Sequence, residues 1–201
     1  MSSVSTDVIN MDVDSERKLR RKETISLLSG IFLKTVFFLD NEMKKAVITG
    51  IFKERGNCLG IIFKSNKKCI FWSFDVFNQF AEFFDEVTTT FESGKKTSNV
   101  KCLQSGEDII LRQVYGKTYV NLYDNENTVS LNSLEWKQFI RNLFMIKNRL
   151  KELFINEDQI QVFIETVTRD QSGMVKLPVL PGEFSNKLYE EILFLKDVSC
   201  C

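Results

Sequence analysis

Histidine is missing from all 201 residues of the chain. Its absence removes the Ser-His and Cys-His nucleophile arrangements, and the side chain that most often moves protons near neutral pH. Five cysteines, Cys58, Cys69, Cys102, Cys200 and Cys201, form an odd set with no Cys-x-x-Cys pair. Zinc takes four well-spaced ligands, usually from such pairs or from histidines, so neither a metal nor a cofactor is expected. The thiols read instead as reduced, small core residues. No run approaches the roughly 18 apolar residues of a membrane span, and Lys34 interrupts even residues 30–40. The polar N-terminus has no signal-peptide apolar core, so a soluble intracellular protein without membrane contact is expected. No nucleophile or acid/base constellation stands out, and the chain is expected not to be an enzyme.

An excess of charge is lacking too, with 27 Lys and Arg against 27 Asp and Glu. Basic residues meeting phosphates supply most nonspecific nucleic-acid affinity, so zero net charge argues against that class. The distribution is uneven, however. Lys44, Lys45, Lys53, Arg55, Lys64, Lys67 and Lys68 gather in one stretch against Glu54, while residues 155–201 are acidic. Residues 1–28 read as a mobile polar tail containing the basic run Arg-Lys-Leu-Arg-Arg-Lys at 17–22, which is either a solvated charge run or a nuclear-import or phosphate-binding patch. A nuclear location is expected, otherwise a cytoplasmic one.

Aromatic and aliphatic residues are plentiful: 43% of the chain is hydrophobic and 18 residues are Phe. Two segments resemble each other. Each is a series of short strands with Gly, Asn, Asp and Lys turns followed by a helix; one begins at Ile48 and the other at Ile109. Gly56 aligns with Gly116, Phe63 with Tyr123 and, after a one-residue gap, Phe77 with Trp136 and Gln79-Phe80 with Gln138-Phe139. Ser73 and either Asn132 or Ser133 are placed to cap the two helices. One helix is expected from Phe74 to Phe91 with Phe74, Phe77, Phe80, Ala81, Phe84, Val87 and Phe91 on its stripe. The other runs from Ser133 to Phe154 with Trp136, Phe139, Ile140, Leu143, Ile146, Leu150 and Leu153. The spacing therefore predicts an α+β chain of two β-β-β-β-α repeats, residues 29–98 and 99–154, pairing as an intramolecular pseudo-dimer. Residues 155–201 form an acidic extension of two strands around Asp170 to Gly173 and a helix carrying Phe184, Leu188, Ile192 and Leu195, packing on the repeats.

In the strand from Lys117 to Tyr123, alternation places Lys117, Tyr119, Asn121 and Tyr123 on one face. A basic residue beside spaced tyrosines can neutralise phosphate and stack bases; equally, the tyrosines can be ordinary cross-strand aromatics. The corresponding face of the first repeat reads Leu59, Ile61 and Phe63, too apolar to stay wet, and the C-terminal extension is the candidate cover. Lys53 and Arg55 in one turn, with Lys64, Lys67 and Lys68 in another, then either rim a binding site or serve solubility.

Residues 112–139, with Gly116-Lys117 closing a basic hairpin and Ser130-Leu131-Asn132 followed by Trp136, resemble the DNA-binding domain of the positive cofactor four transcriptional coactivators. Two such units in one chain resemble the Pur-alpha and Whirly arrangements. The resemblance implies four-stranded sheets each followed by a helix, and binding of single-stranded nucleic acid across open sheet faces. It matches Arg112 and Lys117 to basic contact positions. Val114 stands where the family has a stacking Phe, with Tyr115 beside it where a Lys is expected. The implied function is non-catalytic binding of single-stranded DNA, rather than RNA, in transcription or replication. Transcription or replication proteins are the further partners, and the molecule is a monomeric pseudo-dimer or a homodimer. The alternative is a protein–protein interaction module or transcription cofactor that kept the fold and lost the ligand.

Overall fold

Strand periodicity gives way to helical periodicity at Ser73 and at Asn132, and the computed structural model turns its two main corners at those residues. It describes residues 30–66, 68–94, 97–103, 106–169, 180 and 184–199. Strands β1 (Ile31–Phe38), β2 (Ala46–Phe52), β3 (Cys58–Ser65) and β4 (Lys68–Ser73) form one antiparallel meander. Ser73 then accepts the backbone N–H of Val76 at 3.3 Å and starts α1 (Phe74–Ala81), followed by α2 (Phe84–Glu92). A second meander, β5 (Thr97–Cys102), β6 (Asp108–Val114), β7 (Lys117–Tyr123) and β8 (Thr128–Leu131), leads into α3 (Ser133–Ile155). There the Asn132 side chain accepts from Leu134 and Glu135, and the Glu135 carboxylate accepts the Asn132 N–H at 2.7 Å, a capping box that satisfies orphan donors at both ends of the turn. The molecule is thus α+β with two antiparallel sheets.

Alternation gives each sheet an inner apolar face. Val47, Ile51, Leu59, Ile61, Phe63, Ile70 and Trp72 line the first, and Ile109, Leu111, Val120, Leu122, Val129 and Leu131 the second; all join one core with the helices. Counted from the caps, Phe77, Phe80, Val87 and Phe91 fall at the same spacings from Ser73 as Trp136, Phe139, Ile146 and Leu150 do from Asn132, and all eight are buried. The helices reach across: α3 packs on β2 and β3 as well as β7 and β8, and α2 touches β7. Phe139 meets Phe63 edge-on at 5.4 Å and Phe84 at 5.2 Å. Trp136 Nε1 donates to Thr88 Oγ1 at 3.1 Å and Trp72 Nε1 to the Tyr123 carbonyl at 2.9 Å, so both buried indoles are satisfied across the two sheets' elements.

Three expectations change. The single helix expected from Phe74 to Phe91 is broken at Glu82-Phe83. Crowded phenylalanines explain the break: Phe80 stacks on Trp72 at 4.4 Å, while Phe84 turns its ring edge-on to Trp136 at 5.9 Å and to Phe139. The extension begins with a helix where a strand was expected, α4 (Glu157–Arg169), because Ile160, Phe163, Ile164 and Val167 bury one helical stripe and leave Val162 out. The Asp170–Gly173 turn lies outside the described residues. Finally, Leu59, Ile61 and Phe63 face inward, so they are not the counterpart of the Tyr119–Tyr123 face. Phe63 pairs with Ile70 as Leu122 pairs with Val129, while Tyr123 points the other way. Five residues connect Phe52 to Cys58 but two connect Val114 to Lys117, and this difference in loop length offsets the alignment of Phe63 with Tyr123. Helices cover the inner face, with α4 joining them through Ile160, Phe163, Ile164 and Val167 in the same core.

The outer face of the first sheet is apolar as well, with Ile31, Ala46, Ile48, Phe52, Ile62 and Cys69 buried beside Phe71. Gly60 is required there, since a Cβ would lie 2.6 Å from the Phe71 ring. Helix α5 (Phe184–Ser199) docks on edge strand β1. At a bulge, Leu33 (φ 53°) donates its N–H to Glu191 Oε2 at 2.6 Å and accepts Arg149 Nη2 at 3.2 Å, while Lys187 donates to the Lys34 carbonyl. Side chains thereby occupy peptide groups that an edge strand otherwise leaves open to pairing.

Candidate nucleic-acid interface

The hairpin between β6 and β7 is closed by Tyr115 and Gly116, both at positive φ (49° and 74°), as a two-residue turn of the twist-matching type requires. Glycine suits that conformation; a tyrosine there is strained, and it is 100% exposed. Behind this tip the register sets Val114 opposite Lys117, Arg112 opposite Tyr119, Ile110 opposite Asn121 and Asp108 opposite Tyr123. Since Val120 and Leu122 are fully buried, Lys117, Tyr119, Asn121 and Tyr123 stand on the opposite, outer face. Lys117 and Arg112 are exposed, Tyr119 and Tyr123 half-buried. The Arg112 guanidinium lies over the Tyr123 ring, 5.8 Å from its centroid, a cation–π contact that also keeps the ring's outer face capped by a cation.

Tyr123 is held from below. Its carbonyl takes the Trp72 indole N–H, and the next residue, Asp124, accepts the Phe71 N–H at 3.2 Å with one oxygen and the Glu126 and Asn127 N–H groups with the other. Edge strand β4 of the first sheet is therefore pinned to the end of β7. Phe71 itself carries the Arg55 guanidinium 5.6 Å from its centroid, so among the described residues each sheet's outer face bears an arginine over a ring.

The expected site residues fall into separate groups. Arg112, Tyr115, Lys117, Tyr119 and Tyr123 come together on the second sheet. Lys53 and Arg55 form an exposed helical turn before β3, whereas Lys64 and Lys68 sit at the other end of that strand. The eight residues of β3 separate them by about 26 Å. Lys53 and Arg55 are thus one group and Lys64 and Lys68 another; Lys67 lies outside the described residues, as does the basic run at 17–22. Among the described residues no group of three or more Cys, Asp or Glu side chains is placed to hold a metal ion, and no helix is long and apolar enough to cross a membrane.

Periodicity alone did not single out Asp108 and Asn121. Asn121 is 6% exposed, and its Oδ1, like Asp108 Oδ1, is buried without a hydrogen-bond partner. Alternation places Asn121 on the outer face, but the missing partner is visible only in three dimensions. No family model, curated protein or solved structure matches the chain.

Proposed function

We propose that this chain is a non-catalytic protein that binds single-stranded nucleic acid, DNA rather than RNA, through the outer face of β6 and β7 and the hairpin tip. The observation that carries this reading is the segregation across β7: Val120 and Leu122 entirely in the core, Lys117, Tyr119 and Tyr123 together outside, and Arg112 across from Tyr119. Arginine and lysine meet phosphates while tyrosines offer stacking surfaces at about 1–3 kcal/mol per base. We read the two sheet-and-helix units as repeats clasped in a pseudo-dimer. The shared cap-to-core spacings and the helices that cross to the other sheet support this. A role in transcription or replication, in the nucleus, follows from the likeness to the coactivator hairpin.

A second reading, a protein-interaction module, draws support from α3, where Leu134, Phe144 and Met145 are 79%, 73% and 52% exposed. Fluorescence anisotropy of labelled single strands over a salt series separates the two. Binding with a log–log salt slope of about −1.5 to −3, which corresponds to two to four phosphates neutralised on a single strand, supports the first. Absence of binding at low salt leaves the second.

A further inference from the structure

We infer that Asp108, Asn121 and Tyr123 form a base-recognition pocket that selects bases carrying an exocyclic amino group. This rests on the single-strand reading above and says which bases its surface prefers.

Buried polar atoms are nearly always hydrogen-bonded, and a lone exception invites an explanation. Here two such atoms share one sheet face. Asn121 follows Tyr119 and precedes Tyr123 on that face of β7, and Asp108 is the register partner of Tyr123 on β6. Both orphan atoms are oxygens, Asn121 Oδ1 and Asp108 Oδ1. A carboxylate accepts and does not donate, so the pair is complementary to a ligand that brings N–H groups. The surroundings narrow that ligand. Tyr123, two residues after Asn121 on its strand and directly across from Asp108, supplies a flat stacking surface beside both acceptors, and the Arg112 guanidinium rests over that ring. Arg112 is exposed and its side chain can swing away from the sheet. A base arriving on Tyr123 then takes the place of the guanidinium, and the released arginine meets the phosphate beside it. Exchange of this kind uncovers ring and acceptors together.

Adenine and cytosine present an amino group on the edge that such acceptors contact, and guanine adds a ring N–H beside its own. Thymine and uracil present one ring N–H between two carbonyls, whose lone pairs face the acceptor oxygens. Carboxylate recognition of the cytosine amino group is a known pairing in duplex readout, where one good pair discriminates by about tenfold or more. The acidic group also accounts for a face whose charge is mixed although phosphate binding alone calls for cations.

Equal-length labelled (dA), (dC) and (dT) strands, titrated by anisotropy against the full chain, provide the test. Expected are (dA) and (dC) affinities about tenfold above (dT). Asp108→Ala and Asn121→Val should each bring that ratio toward one by weakening (dA) and (dC) while leaving (dT) nearly unchanged. Thermal melting of each variant checks folding; if Asn121→Val does not fold, the wild-type ratio and Asp108→Ala decide. Equal affinity of wild type for the three strands overturns the pocket and leaves the single-strand reading standing. Failure of all three to bind removes both.

Discussion

Lys45 Nζ sits 2.7 Å from Glu135 Oε2, tying the β1–β2 connection to the first turn of α3. The lysine also donates to the Ser130 carbonyl at 2.8 Å, and the same carboxylate oxygen closes the Asn132 capping box. The Glu135 side chain is 9% and the Lys45 side chain 22% exposed, so the pair is largely withdrawn from water and removing either charge leaves the other poorly compensated. Glu135→Ala is expected to cost about 3–5 kcal/mol in urea unfolding. Glu135→Gln, which keeps an acceptor for the cap, should cost less, about 1.5–3 kcal/mol. In a double-mutant cycle with Lys45→Ala, additivity within about 0.5 kcal/mol would show that the two residues do not act as a pair.

Phe139 tests whether the two sheets share one core. Its ring contacts Phe63 and Phe84 from the first half of the chain and Trp136 from its own helix, all within 5.4 Å between centroids. A shared core predicts one transition in scanning calorimetry, with calorimetric and van't Hoff enthalpies equal. Phe139→Ala should lower stability by about 3–5 kcal/mol without splitting that transition. Two resolved transitions, only one of them moved by the substitution, would mean that the sheets fold independently.

Much of this architecture can be read in the residues themselves. Ser73 and Asn132 mark both corners because a short polar side chain before an apolar stripe has one favourable use, capping. Alternation in Lys117–Tyr123 separates the fully buried Val120 and Leu122 from Lys117, Tyr119, Asn121 and Tyr123, since a strand's side-chain period is fixed by the pleat. Residues 161–169 misled for an equally physical reason. Val162, Ile164, Thr166 and Thr168 alternate like a β-branched strand, while Ile160, Phe163, Ile164 and Val167 also recur as a helix, and burial against the core chose the second pattern. The alignment of Gly56 with Gly116 misled because both residues do adopt positive φ, although they close loops of unequal length. Orphan oxygens such as Asn121 Oδ1 leave no trace in a sequence, because only packing decides whether a polar atom finds a partner.

Glu191 and Glu157 predict the direction of pH dependence. Burial raises the carboxyl pKa of Glu191, against the Leu33 N–H and the charges of Lys187, Lys34 and Arg149. Burial also raises Glu157, with Asp158 and Asp75 adding repulsion. A carboxyl raised in the folded state binds protons more tightly there than when unfolded. Its stabilising contribution is complete below the unfolded pKa and is lost as pH rises through the folded one. Wild type should therefore gain stability relative to Glu191→Gln as pH falls from 7 toward the usual carboxylate range. At pH 7 the glutamine variant, which still accepts the Leu33 N–H, should melt higher than wild type. Parallel melting curves for the two proteins across that range would remove Glu191 from the account.

Tyr115 separates stability from binding. At φ 49° it pays the left-handed penalty of about 1–2 kcal/mol for an L-residue, and a side chain 100% exposed returns no burial in exchange. Asn or Gly at this turn position relieves the strain, so Tyr115→Asn should stabilise the fold by up to about 1 kcal/mol in urea unfolding. If the ring stacks on a base at the hairpin tip, the same change should weaken single-strand binding by about 5- to 150-fold, the equivalent of roughly 1–3 kcal/mol. Tyr115→Phe keeps the strain and the stacking surface and should leave both quantities near wild type. A variant that is both more stable and weaker in binding identifies the tyrosine as a contact retained at the expense of the fold. Greater stability with unchanged affinity would confine the interface to the sheet face behind the tip, where Arg112, Lys117, Tyr119 and Tyr123 remain.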